Sequence, residues 1–185
     1  MSDVDAGSGV LRLDDENLAS YLDTIAHAEV KLDLLVAGTS GVLRHRILAV
    51  PDEAVVVLGV RPGLHQVMAL PPAHVAAALV RMTRLRPHPI GDLAIRRYPA
   101  AGLAALVDDD AQVRLNSLRE VGARFAWRLS VRWTDDERHD LIAVDGPDGL
   151  FWADPVEQLL RPVSSTQAYR AFSTVLTAGD HLAAQ

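Results

Sequence analysis

Arg44-His45-Arg46-Ile47-Leu48-Ala49-Val50 and Arg138-His139-Asp140-Leu141-Ile142-Ala143-Val144 read as one strand pattern written twice. Four of the seven positions are identical, and two more exchange Ile and Leu. Pro51-Asp52 follows the first copy, and Pro147-Asp148 follows the second after two extra residues. In a chain rich in Ala, Val and Leu, seven residues align easily by chance. The shared order of elements is therefore the better support: each copy leads through a turn and further strands to a helix that opens on Pro or Ser. Two copies are too few for a solenoid. They suit an α+β fold of two pseudo-twofold-related halves, each an antiparallel β-meander followed by a helix, with helices flanking a central sheet.

Working outward from the first copy, Val30, Leu32, Leu34 and Val36 alternate with Lys31 and Asp33, the mark of a half-buried strand over residues 30–37. Gly38-Thr39-Ser40-Gly41 is a turn with two residues free to take positive φ. Strands at 42–50, 54–60 and 64–70 follow in close order, and such short connections favour an antiparallel meander. Residues 54–60 are apolar on both faces, which predicts an interior strand. Pro71-Pro72 opens a helix, with Val75, Leu79 and Met82 as its buried stripe and His74, Arg81 and Arg84 facing outward. Before the strands, the spacing of Leu18, Leu22 and Ile25, with Tyr21 and Ala26 beside them, predicts a helix over 15–28 buried on that face.

Around the second copy the pattern repeats. Residues 124–133 form a strand with Phe125, Trp127, Leu129 and Val131 on one face. Strands at 138–144, 150–153 and 156–163 follow. The last helix starts at Ser164, which makes a capping box with Gln167. Tyr169, Phe172 and Leu176, with Ala168 and Val175, give its buried face, and Gly179 is its C-cap. Between the halves lies a Pro-rich connector at 86–99, an apolar segment at 100–107, and a helix from 109 to 121 capped by Asp108 and ended by Gly122. The organisation is a flexible arm at 1–13, a first half with its leading helix at 14–85, a connector with a helix at 86–122, and a second half at 123–182.

Composition narrows the function. The chain has 185 residues, 49% of them hydrophobic, enough for a real core. Its net charge of −6 argues against binding nucleic acid through phosphate neutralisation. With no cysteine, disulfides, thiolate nucleophiles and Cys-based zinc sites are excluded. No apolar run is long enough to predict membrane insertion. Residues 1–9 lack the basic and apolar regions of a signal peptide, so a cytoplasmic location is expected.

Each candidate for chemistry has a simpler reading beside it. His45 and His139 hold equivalent places in the repeat and suggest a paired metal site; without a carboxylate at ligand spacing, a hydrogen-bonded or solvated strand histidine is the simpler reading. Asp108-Asp109-Asp110 and Asp135-Asp136-Glu137 offer paired carboxylates, yet one run lies at a helix start and the other in a hairpin turn. Ser40, Ser164 and Ser165 lack a nucleophile elbow. Gly7-Ser8-Gly9 lacks the phosphate-loop lysine. Arg84, Arg86, Arg96 and Arg97 form a basic patch about the connector, read either as a docking site for an acidic partner or as a solvated face. Trp127 is a core residue, while Trp133 and Trp152 are contact candidates at an interface. No catalytic residue, metal or cofactor is expected.

The words Val30-Lys31-Leu32-Asp33-Leu34-Leu35-Val36, Gly41-Val42-Leu43-Arg44 and Glu53-Ala54-Val55-Val56-Val57-Leu58, preceded by the helix at 15–28, resemble EspG proteins. These are the ESX (type VII) secretion-associated proteins of actinobacteria. The second half is similar too, through the strand at 124–133, the turn at 144–149 and the closing strand and helix at 156–176. The likeness spans about residues 15–180 and rests on element order and short apolar words, without an invariant motif. It implies a quasi-twofold arrangement of a central sheet flanked by helices. It also implies a cytosolic chaperone, since mycobacterial members hold PE–PPE pairs soluble before secretion. No functional residue carries over. EspG proteins have a further strand-and-helix region before the "LDL" strand, so against that pattern the sequence looks like a shortened relative. A homodimer or an obligate protein partner is then expected to cover the exposed surface. A small enzyme or ligand-binding domain, with its site in the cleft between the halves, is the alternative.

Overall fold

A computed structural model of the chain describes residues 3–5, 10–12, 18–61, 63–88, 93–133 and 138–176. Their strands are β1 (Asp3–Asp5), β2 (Val10–Arg12), β3 (Val30–Gly38), β4 (Gly41–Ala49), β5 (Ala54–Arg61), β6 (Leu64–Leu70), β7 (Arg96–Arg97), β8 (Phe125–Arg132), β9 (Arg138–Asp145), β10 (Leu150–Asp154) and β11 (Leu159–Val163). Their α-helices are α1 (Leu18–Ala26), α2 (Val75–Met82), α3 (Ala100–Ala105), α4 (Ala111–Glu120) and α5 (Ser165–Thr174). β1 and β2 pair as a short antiparallel hairpin within the expected N-terminal arm. The other nine strands form one antiparallel sheet in the order β6-β5-β4-β3-β8-β9-β10-β11-β7. The fold is α+β.

The order follows from the two meanders. Each hairpin lays its strands side by side, and β3 and β8 join the two runs along a register from Lys31↔Arg132 to Gly38↔Phe125. Reading outward from that seam, β3 to β6 and β8 to β11 lie in chain order, with β7 of the connector added beyond β11, and each four-strand run leads into a helix, α2 or α5. The two repeated words fall on β4 and β9, where His45 lies opposite Leu34 of β3 and His139 opposite Val131 of β8.

One sheet face holds the main core. Leu32, Leu34, Ile47, Val56, Trp127 and Leu129 pack with Val75 and Leu79 of α2 and Ala168 and Phe172 of α5. The alternation read from β3 and β8 puts these side chains on one face because the side-chain period of a strand is two. Trp127 is fully buried, with its ring 5.3 Å from both Trp152 and Phe172. On the opposite, outer face, α3 and α4 cover one end, where Leu103, Leu106 and Leu118 meet Ala126, Val144 and Phe151. Buried Arg114 fixes these helices. Its Nε donates to the Gly38 carbonyl at 3.1 Å and its Nη1 to the Asp108 carbonyl at 2.6 Å.

Several expectations need correction. In α1 the polar side faces the sheet: Thr24 is 5% exposed, whereas Leu22 is 54% and Ile25 37% exposed. The cause is Glu53, whose Oε2 accepts from Thr24 Oγ1 at 2.6 Å and from Ser20 Oγ at 3.1 Å, which turns the helix. Leu18 side-chain burial and residues 15–17 lie outside what is described. In α5, Tyr169 is 49% exposed, because Ala168, Phe172 and Val175 already form the inward stripe. Asp110 rather than Asp108 caps α4, accepting from the amides of Gln112 and Val113 at 2.8 and 3.1 Å. The last strand begins at Leu159, not 156, since Asp154 Oδ1 accepts from the Val156 and Glu157 amides and holds a turn there. Residues 100–107 contain the short helix α3. In the first hairpin only Gly41, not Gly38, takes positive φ. The Ser164–Gln167 capping box and positive φ at Gly122 are as expected. Gly179 lies outside the described residues.

Candidate functional site

The outer face is left open between the α3–α4 end and α1. Three register rows cross β4, β3, β8 and β9 there. Arg46, Asp33, Ser130 and Asp140 make the middle row. Leu48, Lys31, Arg132 and Arg138 lie on one side of it; Arg44, Leu35, Arg128 and Ile142 lie on the other. Pairing across strands brings these side chains together from residues about a hundred positions apart in sequence. The next row, Val42, Ala37, Ala126 and Val144, passes under α3 and α4. The result is a trough of about 640 Å³ over the β3–β8 seam, its lining including Arg44, Arg46, Arg128, Arg132 and Arg138. Leu35, Leu48 and Val57 give it apolar floor, and Ile25 of α1 and His65 of β6 stand on its rim.

Most of its charge is held in place. Asp33 Oδ1 accepts from Arg46 Nε at 2.7 Å and Oδ2 from Arg132 Nη2 at 3.2 Å. Asp140 takes a two-pronged bond from Arg138, Nε at 2.9 Å and Nη2 at 3.1 Å, and the same Nη2 reaches Ser130 Oγ at 3.1 Å. Partial burial pushes the Asp140 carboxyl up, but the bonds from Arg138 and Ser130 outweigh it and hold the group below its ordinary value. The bond to Asp140 in turn raises Arg138. Arg44 pairs with Asp109. Arg128 differs: its Nε is buried and has no hydrogen-bond partner. Four of the five guanidiniums thus pair with the carboxylates of Asp33, Asp109 and Asp140, leaving the trough cationic on a chain whose net charge is −6. Arginine stays protonated and forms forked bonds to carboxylate or phosphate, so these residues are equipped to bind an anion rather than to transfer a proton.

The residues named from sequence do not converge. His45 is buried on the inner face with its Nδ1 unpartnered, and burial lowers its pKa. His139 is exposed, its ring 5.1 Å from that of Trp133. Among the described residues no group of three or more His, Asp or Glu is placed to hold a metal. Asp108, Asp109 and Asp110 are engaged at the α4 start, Asp108 Oδ1 accepting from the Asp110 amide at 2.8 Å. Asp135-Asp136-Glu137 and Gly7-Ser8-Gly9 lie outside the described residues. Ser40 sits in the β3–β4 turn, Ser164 caps α5, and Ser165 Oγ donates to the Arg86 carbonyl at 2.6 Å. The connector arginines disperse: Arg86 reaches Asp145 at 3.5 Å, and Arg96 lies 4.8 Å over the Phe151 ring, while Arg84 and Arg97 are exposed. Trp133 and Trp152 are both half-buried against the main core, on the face away from the trough.

Sequence reasoning missed the trough. Its signal was present as the polar phase of the strands, Arg44 and Arg46 on one and Arg128 and Arg132 on another, but that phase reads as a solvated face until the strands are paired. It also missed the buried carboxylate of Asp145, which is 1% exposed with His88 Nε2 at 2.9 Å and ties the connector to β9. No local pattern links two residues 57 positions apart. No family model matches the sequence, and no curated protein matches it.

Proposed function

We propose that this chain works by contact, binding another protein at the open trough over the β3–β8 seam, in the chaperone-like role that the EspG resemblance implies. The observation that carries this reading is the trough itself: arginines and apolar side chains side by side on a sheet face that α1, α3 and α4 leave uncovered. Such mixed surfaces, with arginine prominent, suit protein interfaces. Exposed Leu22 and Ile25 on α1 extend the apolar surface at its rim. A cytoplasmic, type VII secretion-associated client is the proposed context. A homodimer is proposed as the alternative partner, with exposed Leu64 and Met68 on β6 to bury.

The second reading, a small-ligand or enzyme site between the halves, has one observation in its favour. The trough straddles the seam, and its volume falls within the range of small-molecule sites. Contact with protein is preferred because the engaged groups are permanently charged arginines.

The test uses the tagged chain expressed in its native host beside a variant carrying Arg44→Glu and Arg128→Glu, and a control carrying Arg81→Glu on α2. Quantitative mass spectrometry of what each retains is expected to find a protein held by the wild type and the control and lost from the double variant. Equal retention by all three, or a small molecule and no protein with the wild type, contradicts the proposal.

A further inference from the structure

We infer that the trough selects a short peptide segment carrying carboxylates among apolar side chains, and that Arg128 makes the deciding ion pair. The inference rests on the trough being a protein-docking surface and adds the chemistry of what docks. Three observations support it. Arginines outnumber carboxylates in the trough, so an acidic segment balances the local charge while the rest of this acidic chain repels it. Arg128 lines the trough and is only partly buried, and its Nε makes no hydrogen bond in the fold, so the guanidinium keeps donor capacity that a carboxylate arriving at its exposed edge would engage. Arg128 shares its register row with Leu35 and Arg44, so a carboxylate at Arg128 brings its neighbours over an apolar floor that a bare phosphate would leave unused. The open trough of about 640 Å³ matches a few residues of extended chain and not a folded domain.

The test titrates the full-length chain into a rhodamine-labelled decapeptide of alternating Glu and Leu, followed by fluorescence anisotropy. The peptide with Gln in place of Glu, the peptide with Lys in place of Glu, and inorganic phosphate as competitor complete the set. Saturable binding of the Glu peptide that weakens with salt is expected, with the Gln peptide and the Arg128→Gln variant each weaker on the order of ten-fold. Arg128→Lys should recover part of the loss, and Arg84→Gln, outside the trough, should leave binding unchanged. Circular dichroism of each variant separates lost binding from lost fold. If the Gln peptide binds as well as the Glu peptide, if no peptide binds, or if Arg128→Gln changes nothing, the acidic-segment inference is overturned. Displacement by millimolar phosphate that binds with the same Arg128 dependence overturns it in favour of a small-anion site. In each of these cases, docking of protein at the trough stands or falls separately, on whether the Arg44→Glu, Arg128→Glu variant loses its captured protein.

Discussion

His45 illustrates how one residue's meaning depends on its burial. In sequence it matches His139 and hints at a symmetric metal pair. In the fold both lie on the inner face, but His45 is buried opposite Leu34 and Leu58, with Nδ1 lacking a partner, while His139 at the sheet's end is exposed beside Trp133. Burial disfavours the imidazolium, so the pKa of His45 in the fold lies below its ordinary 6.5. The unfolded chain therefore binds more protons as pH falls past 6.5, and stability contributed by the neutral ring is lost between that value and the depressed one. His45→Leu removes both the titration and the unsatisfied nitrogen. Urea unfolding at pH 7.5 and pH 5.5 should show the wild type losing stability on acidification and the variant losing less; identical losses would remove His45 from the acid response. Arg128 carries the opposite lesson. Nothing in its neighbours along the chain distinguishes it, and its unpartnered Nε becomes visible only once β8 is paired with β3 and β9.

At the scale of elements, local chemistry was the readable part. Alternation in β3 and β8, the two-sided apolar run of β5 and the Ser164–Gln167 box each act within a few residues, and each forms as the pattern implies. Ser164→Ala removes one arm of that box, whose Oγ accepts from the Gln167 amide at 3.1 Å. It should cost about 1 kcal/mol of stability by chemical denaturation. A cost near zero would mean that packing of Ala168 and Phe172 holds α5 without its cap. The misread elements are those settled by a distant partner. α1 has an apolar stripe that predicts burial, but Glu53 captures Thr24 and Ser20, and the stripe turns outward. The start of α4 offered three aspartates as caps; backbone geometry chose Asp110, leaving Asp109 for Arg44. The strand before α5 was read too long because the Asp154 turn leaves no mark in hydropathy.

The whole molecule joins two meanders at β3 and β8, and this seam sets both the fold and the candidate site. The α+β class and the helix-flanked antiparallel sheet were legible because repeated words and short turns dictate a meander. The site was not legible, since it arises where polar phases of strands from both halves come into register on one face. Among the described residues, no helix is long and apolar enough to cross a membrane. The central claim is that partners dock on the trough, and backbone NMR of the labelled chain tests it most directly. On adding the captured protein or the Glu–Leu peptide, amide shifts should concentrate at Leu35, Arg44, Arg46, Arg128 and Ser130, with α2 and α5 quiet. Shifts centred on α2, α5 or the β6 edge, with those five amides unmoved, would contradict the account.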